Sequence, residues 1–140
     1  MSVIGIILLI VVLLLLKGFF SGSEIALVNS DKVKLNARAN QGHKGAREVL
    51  ELFKTPDVML GTTLVGTNIA TVALTSMVTV LFIRYFGEHG DLYAFLVFTP
   101  VLLILGEIVP KSIFQQKSDE VAPIAIYPLK IFSIVFYPII

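Results

Sequence analysis

Apolar residues fall in long runs broken by short polar insertions, a pattern of membrane spans rather than of amphipathic surface helices. Val3 to Leu16 is almost purely aliphatic; Phe19-Phe20 then leads into Ser21-Gly22-Ser23-Glu24, and Ile25-Ala26-Leu27-Val28 is apolar again. The first polar cluster is therefore embedded in a span, Val3 to about Val28, which it is expected to break. Val58 to Ile83 carries no charge and is long enough to cross with tilt, and Pro56 suits the first turn of its helix. Leu92 to Val109 forms a third run ending in Gly106-Glu107-Ile108-Val109-Pro110-Lys111, where Pro110 lacks an N–H, frees the Gly106 carbonyl and should kink the chain.

The connections differ from the spans in kind. Asn29 to Asp57 is polar: Ser30 is a plausible cap for a short helix carrying Val33 and Ala37, ended by Gly42 and Gly45. Ala46 to Lys54 then places Val49, Leu50 and Phe53 on one face, so two short amphipathic helices should lie against the membrane surface. Val121 to Ile140 contains one charge, Lys130, and three prolines, Pro123, Pro128 and Pro138. Tyr127, Lys130, Ser133 and Tyr137 gather on one arc, which favours a juxtamembrane helix in the interface over a fourth span. The expected fold is thus an all-α membrane protein with three transmembrane helices, broken at a shared site. The whole chain is expected to be a single domain, and the stop at Ile140 without a polar tail reads as a truncation.

Composition agrees. Hydrophobic residues make up 56% and charged residues 15%, against about 25% charged in soluble domains. The net charge of +1 calls for no nucleic-acid partner. There are no cysteines, and His43 and His89 both lie in polar connections, so thiolate and imidazole metal sites give way to oxygen ligands. The N-terminus has no basic n-region and Phe20-Ser21-Gly22 is a poor cleavage site, which argues for a span rather than a signal peptide. No His-Glu-x-x-His, Ser–His or paired-aspartate arrangement occurs in the spans, so no enzyme is indicated.

The embedded polar groups carry the chemistry. A carboxylate near mid-bilayer costs ~2.5–3.5 kcal/mol and marks a functional site by default. At ~1.5 Å per residue, Asn68 comes about 16 Å into the second span from the cytoplasm, Glu107 about 22 Å down the third, and Ser21 and Ser23 about 27–30 Å from the outer surface, against a core of ~30 Å. All lie between the midplane and the cytoplasmic side and can meet there. Their donors are oxygens, which suits Mg²⁺, Ca²⁺ or Na⁺, and Gly22 and Gly106 would allow close or strained backbone. Asn68 must be paired inside the bundle. Other readings stand beside this one: Thr63, Thr67, Thr71 and Thr75 form a stripe that could serve packing alone, and Gly18 with Gly22 is a helix-packing pair. Lys17 would snorkel to an interface or face a wet cavity. Glu107 could instead be a helix-end carboxylate paired with Lys111. A neutral amide is cheaper than a carboxylate in a membrane, so Glu107→Gln should leave the fold intact.

Ser21-Gly22-Ser23-Glu24-Ile25-Ala26-Leu27, Thr63-Leu64-Val65-Gly66-Thr67-Asn68 and Gly106-Glu107-Ile108-Val109-Pro110-Lys111 resemble, in residues, order and separation, the three motifs of the CorC/cyclin-M family of magnesium transporters. The resemblance covers nearly the whole chain. It implies a homodimer in the lipid bilayer that holds a dehydrated Mg²⁺ at mid-membrane depth, with export coupled to Na⁺ entry. A membrane-embedded magnesium sensor or scaffold is the alternative. It also implies metal ligands at Ser21, Ser23, Asn68, Gly106 and Glu107, with Glu24 and Gly66 of second rank. The family normally continues into cytosolic ATP-binding modules of cystathionine-β-synthase type, which these residues do not include. Lys17 has no counterpart in the family pattern.

Orientation follows from the basic residues. Six of the eleven, Lys32, Lys34, Arg38, Lys44, Arg47 and Lys54, lie in Asn29–Asp57, against Arg84 alone in Arg84–Asp91. The positive-inside rule places Asn29–Asp57 in the cytoplasm and the N-terminus outside the cell membrane. Cysteines introduced at Gln41 and at a C-terminal position should then resist impermeant external reagents while one at His89 reacts; external labelling at the C-terminus would establish a fourth span.

Overall fold

The computed structural model describes residues 2–139, without the side chain of Asp119. Among the described residues all regular structure is helical. Helix α1 (Val3–Asn29) opens on Ser2, whose Oγ accepts from the Gly5 N–H at 3.1 Å. It then runs unbroken through Ser21-Gly22-Ser23. The expected break is absent, and the same holds at Gly66-Thr67-Asn68 within α4 (Pro56–Phe86). In an apolar solvent a broken helix strands backbone donors and acceptors, whereas small polar side chains leave the ladder intact.

Between those helices the chain caps itself twice in succession. Ser30 Oγ donates to the Leu27 carbonyl at 2.8 Å and so closes α1, while Asp31 Oδ1 accepts from Val33 N at 2.9 Å and opens α2 (Lys32–Asn40). The cap expected at Ser30 thus belongs to its neighbour. Helix α2 ends in a Schellman turn: Gly42, at φ +89°, donates to Ala39 O at 3.0 Å and His43 N donates to Arg38 O at 3.0 Å. His43 Nδ1 accepts from Ala46 N at 3.1 Å to start α3 (Lys44–Phe53). Gly45, expected as a stop, lies inside α3, where a Cβ would strike the Pro123 carbonyl.

Helix α4 closes at Gly87 (φ +74°), and a 3₁₀ turn, Gly87–His89, folds the chain back into α5 (Gly90–Leu103), which packs on α4. A π turn, Ile104–Ile108, joins α5 to α6 (Val109–Gln116) without a break. Helix α7 (Ser118–Phe136) stays helical through Pro123 and Pro128. It buries Ala122, Pro123, Ala125, Ile126, Leu129 and Ser133 and turns Tyr127, Lys130 and Tyr137 outward. Ser133 therefore leaves the arc assigned to it: its Oγ donates to the Lys130 carbonyl at 2.7 Å. Lys130 pairs with Glu48 at 2.7 Å, tying α7 to α3, and that carboxylate holds the ammonium above its ordinary pKa. Ile140, expected on the inner side, lies outside the described residues.

Burial is lopsided. The core gathers where the C-terminal third of α1 meets α2, α3, the start of α4, and α7: Phe20, Ala26, Leu27, Leu35, Ala46, Val49, Met59, Ala122, Ile126 and Leu129. Phe20 is its hub, edge-on to Phe19 (5.5 Å) and Phe132 (4.9 Å). Elsewhere large apolar side chains face outward, among them Ile4, Leu15, Leu64, Val72, Phe95 and Leu96. Water does not tolerate such a surface over this area, and a bilayer requires it. Among the described residues two stretches are long and apolar enough to cross a membrane, Val3–Asn29 and Pro56–Gln116, the second folded back on itself at Gly87.

Phe20 rests on Gly66, where a Cβ would sit 2.6 Å from the ring. Gly66→Ala should therefore destabilise by about 1–3 kcal/mol through overpacking, and Phe20→Ala by about 3–5 kcal/mol through loss of the hub. Thermal melts in detergent check both, and Phe20→Leu should rescue part of the Gly66→Ala loss.

Candidate functional site

The charged residues inside the spans find each other. Lys17, 2% exposed, donates from Nζ to Glu107 Oε1 at 3.1 Å and to Thr71 Oγ1 at 2.7 Å. Thr71 passes the chain on, its hydroxyl donating to the Thr67 carbonyl at 2.8 Å. Three elements, α1, α4 and the π turn, are thereby joined by one ion pair and one hydroxyl. Lys17 neither snorkels nor faces a wet cavity: it is sealed in the bundle, with its ammonium on Glu107 and Thr71. Glu107 is paired with Lys17 rather than with Lys111.

The π turn places the carboxylate. Pro110 has no N–H for the Gly106 carbonyl, and Val109 N instead donates to Ile104 O, five residues back. The wider turn keeps the helix continuous across Pro110. Glu107 keeps 37% of its side chain exposed while the ammonium on its other side is sealed.

Each motif contributes a glycine, and each glycine seats a side chain from elsewhere. A Cβ on Gly22 would stand 2.6 Å from the Phe114 ring, one on Gly66 2.6 Å from the Phe20 ring, and one on Gly106 3.0 Å from Lys17 Cε. Gly18 likewise faces Pro110, its Cβ position lying 3.0 Å from Cγ. None of these glycines has a positive φ; only Gly42 and Gly87 do. The strained dihedrals expected at Gly22 and Gly106 are absent and the close approach is present, with the Gly18–Gly22 pair closing α1 on α6.

The remaining assigned residues divide. Ser21 is buried, one helical turn beyond Lys17 on the same side of α1, and Glu24, half-buried, continues that face. Ser23 is fully buried, and its Oγ, like Thr67 Oγ1, has no hydrogen-bond partner in the protein. An orphaned hydroxyl in a core costs ~1–3 kcal/mol, so each of these oxygens is open to a ligand. Asn68 is not brought in: it is exposed beside Ile69, Val72 and Ala73, not paired inside the bundle. Successive residues of a helix turn by about 100°, which carries Asn68 off the inward line of Thr67 and Thr71. Sequence reasoning named Lys17 and Thr71 but not their pairing. The available signal was a lysine inside the first apolar run and a carboxylate, Glu107, inside the third. Among the described residues no group of three or more His, Asp or Glu side chains could hold a metal, so any ion here would rest on one carboxylate and neutral oxygens.

Residues 8–140 match the Cyclin M transmembrane N-terminal domain. The chain belongs to the cyclin M transmembrane domain family. Similar proteins include a UPF0053 protein of Haemophilus influenzae, 30% identical over 94% of this chain and 31% of that protein. The UPF0053 inner membrane protein YfjD of Escherichia coli is 28% identical over 89% of this chain and 29% of its own length. The chloroplastic DUF21 domain-containing protein At1g55930 of Arabidopsis thaliana is 34% identical over 94% and 20%. This cyclin M domain therefore spans between a fifth and a third of the length of these relatives.

Removing one partner of an ion pair this deep leaves the other uncompensated, a loss of about 3–5 kcal/mol when both are sealed. With Glu107 partly exposed, about 2 kcal/mol is expected for Lys17→Gln or Glu107→Gln. This revises the expectation that Glu107→Gln spares the fold, because the cost passes to the buried ammonium. The double variant should regain most of the loss, as a thermal-melt cycle will report.

Proposed function

We propose that this domain carries Mg²⁺ across a cell membrane through an oxygen-ligand site at Glu107, as a homodimer of three-span protomers with the N-terminus outside. Export is coupled to Na⁺ entry and regulated in the full-length protein by its cytosolic ATP-binding modules. The observation that carries this reading is a partly accessible carboxylate on a π turn in a bundle that also buries two unpartnered hydroxyls, Ser23 Oγ and Thr67 Oγ1. Mg²⁺ takes such oxygen donors at ~2.0–2.1 Å, and one charged ligand among neutral oxygens supplies the set. Glu107 supplies the charge; Ser21, Ser23 and the Gly106 carbonyl left free by Pro110 supply neutral oxygens. Glu24 and Gly66 hold second-rank positions, and Asn68, which faces outward on α4 in the single chain, joins the set only in the homodimer.

The resident ion pair favours a second reading, a magnesium sensor or scaffold in which the ion sets conformation without passing through. Mg²⁺ flux in proteoliposomes separates the two, since a sensor binds without flux.

Glu107→Gln should abolish Mg²⁺ binding by calorimetry, with the Lys17→Gln/Glu107→Gln double variant as the stably folded control, and Asn68→Ala should weaken binding only several-fold. Unchanged affinity in both Glu107→Gln proteins would sink the site.

A further inference from the structure

We infer that Lys17 is a tethered counter-cation: its ammonium holds the place on Glu107 that a travelling cation must take, and the ion enters by displacing it. The inference rests on the reading of Glu107 as the ion's carboxylate ligand.

Three observations converge on it. The first is how completely the ammonium is built in. Lys17 is 2% exposed, and its Cδ and Cε fill the space a Cβ on Gly106 would need, at 3.1 and 3.0 Å. Glycine at the third motif is thus a seat for the lysine stem, and the stem delivers Nζ to the carboxylate beside it. The second is charge. Glu107 and Lys17 sum to zero, and no cluster of three or more His, Asp or Glu side chains stands among the described residues to balance more. A divalent ion on Glu107 Oε1 at ~2.1 Å, with the ammonium still 3.1 Å from that oxygen, would put the two cations within about 5 Å of each other. In a weakly screening interior the two do not share one carboxylate.

The third observation is that the displaced lysine has somewhere to stay. Thr71 Oγ1 spends its proton on the Thr67 carbonyl and faces Lys17 purely as an acceptor, at 2.7 Å, closer than Glu107. An ammonium released by the carboxylate remains held by the hydroxyl, and a small swing of Nζ suffices. Glu107 is meanwhile approachable from its exposed side, so the incoming ion reaches the carboxylate without first crossing the lysine.

The test is titration of the purified protein with MgCl₂ at constant ionic strength, by calorimetry and by thermal melting. Lys17→Gln should bind Mg²⁺ at least ~tenfold more tightly than the parent, the weight of one charged hydrogen bond removed from the competition. Its melting temperature, lowered without Mg²⁺, should rise on adding the ion by more than the parent's does. Lys17→Met, which keeps the stem and loses the charge, should behave alike. Binding by the variants where the parent shows none supports the inference in its strongest form. Unchanged or weaker affinity in both variants, with binding still lost in Glu107→Gln, overturns the counter-cation and leaves the carboxylate site standing. No binding by parent or variants overturns both. Variants that stay unfolded with Mg²⁺ present throughout purification also overturn it, because the ion then fails to replace the ammonium.

Discussion

An ammonium and a carboxylate 3.1 Å apart inside an apolar bundle constrain everything around them. Neither charge is tolerable alone at that depth, and each is tolerable only while the other is within reach. The first helix must therefore present Lys17 toward the third run, and the third run must present Glu107 toward the first. The π turn meets the second demand: it accommodates Pro110 while keeping the backbone helical and the carboxylate turned to the lysine. Thr71 completes the arrangement by giving the ammonium a second oxygen from α4.

Close approach of the helices follows from the glycines. Phe114 lies over Gly22, Phe20 over Gly66 and the Lys17 stem over Gly106, so each motif accepts a large side chain where a Cβ would collide. A polar residue next to a glycine in a membrane helix thus has two roles at once: the glycine sets the distance between helices, and the neighbouring hydroxyl or carboxylate is carried into the seam that results. The aromatic core around Phe20 anchors that seam at one end, where α7, α3 and the start of α4 converge. The opposite ends of α1, α4 and α5 have no comparable core and expose their apolar faces to the bilayer instead.

Much of this was legible in residue patterns, and what was not has physical causes. Apolar run length located α1, α4 and α5, and the proline rule marked the place where the third run departs from α-geometry, though not that the departure is a π turn. The expected breaks at Ser21-Gly22-Ser23 and Gly66-Thr67-Asn68 did not occur, because polar side chains do not oblige a backbone to leave the helix. Ser30 and Asp31 are adjacent cap formers, and local chemistry alone does not say which closes one helix and which opens the next. Asn68 shows the limit of depth as a criterion: rise along the axis brought it level with the site, but rotation about the axis turned it outward. The pairing of Lys17 with Glu107 spans most of the chain and has no periodic signature, so only the rule that membrane charges seek partners pointed to it.

That rule also explains why a lysine belongs at a place suited to cations. A carboxylate waiting empty in a bundle would be raised in energy and would favour collapse of the site. A carboxylate permanently satisfied by structural partners would bind nothing. An ammonium on a flexible stem lies between these limits, since it neutralises Glu107 at rest and is held by rotatable bonds rather than by the backbone. The deep burial of its stem against Gly106 fixes where the charge originates, while Thr71 fixes where it can go. An ion that takes the carboxylate must outcompete this built-in rival, which weakens binding and eases release by the same amount. A site that must let its cargo leave is served by that weakening, and a site that only stored the ion would not be.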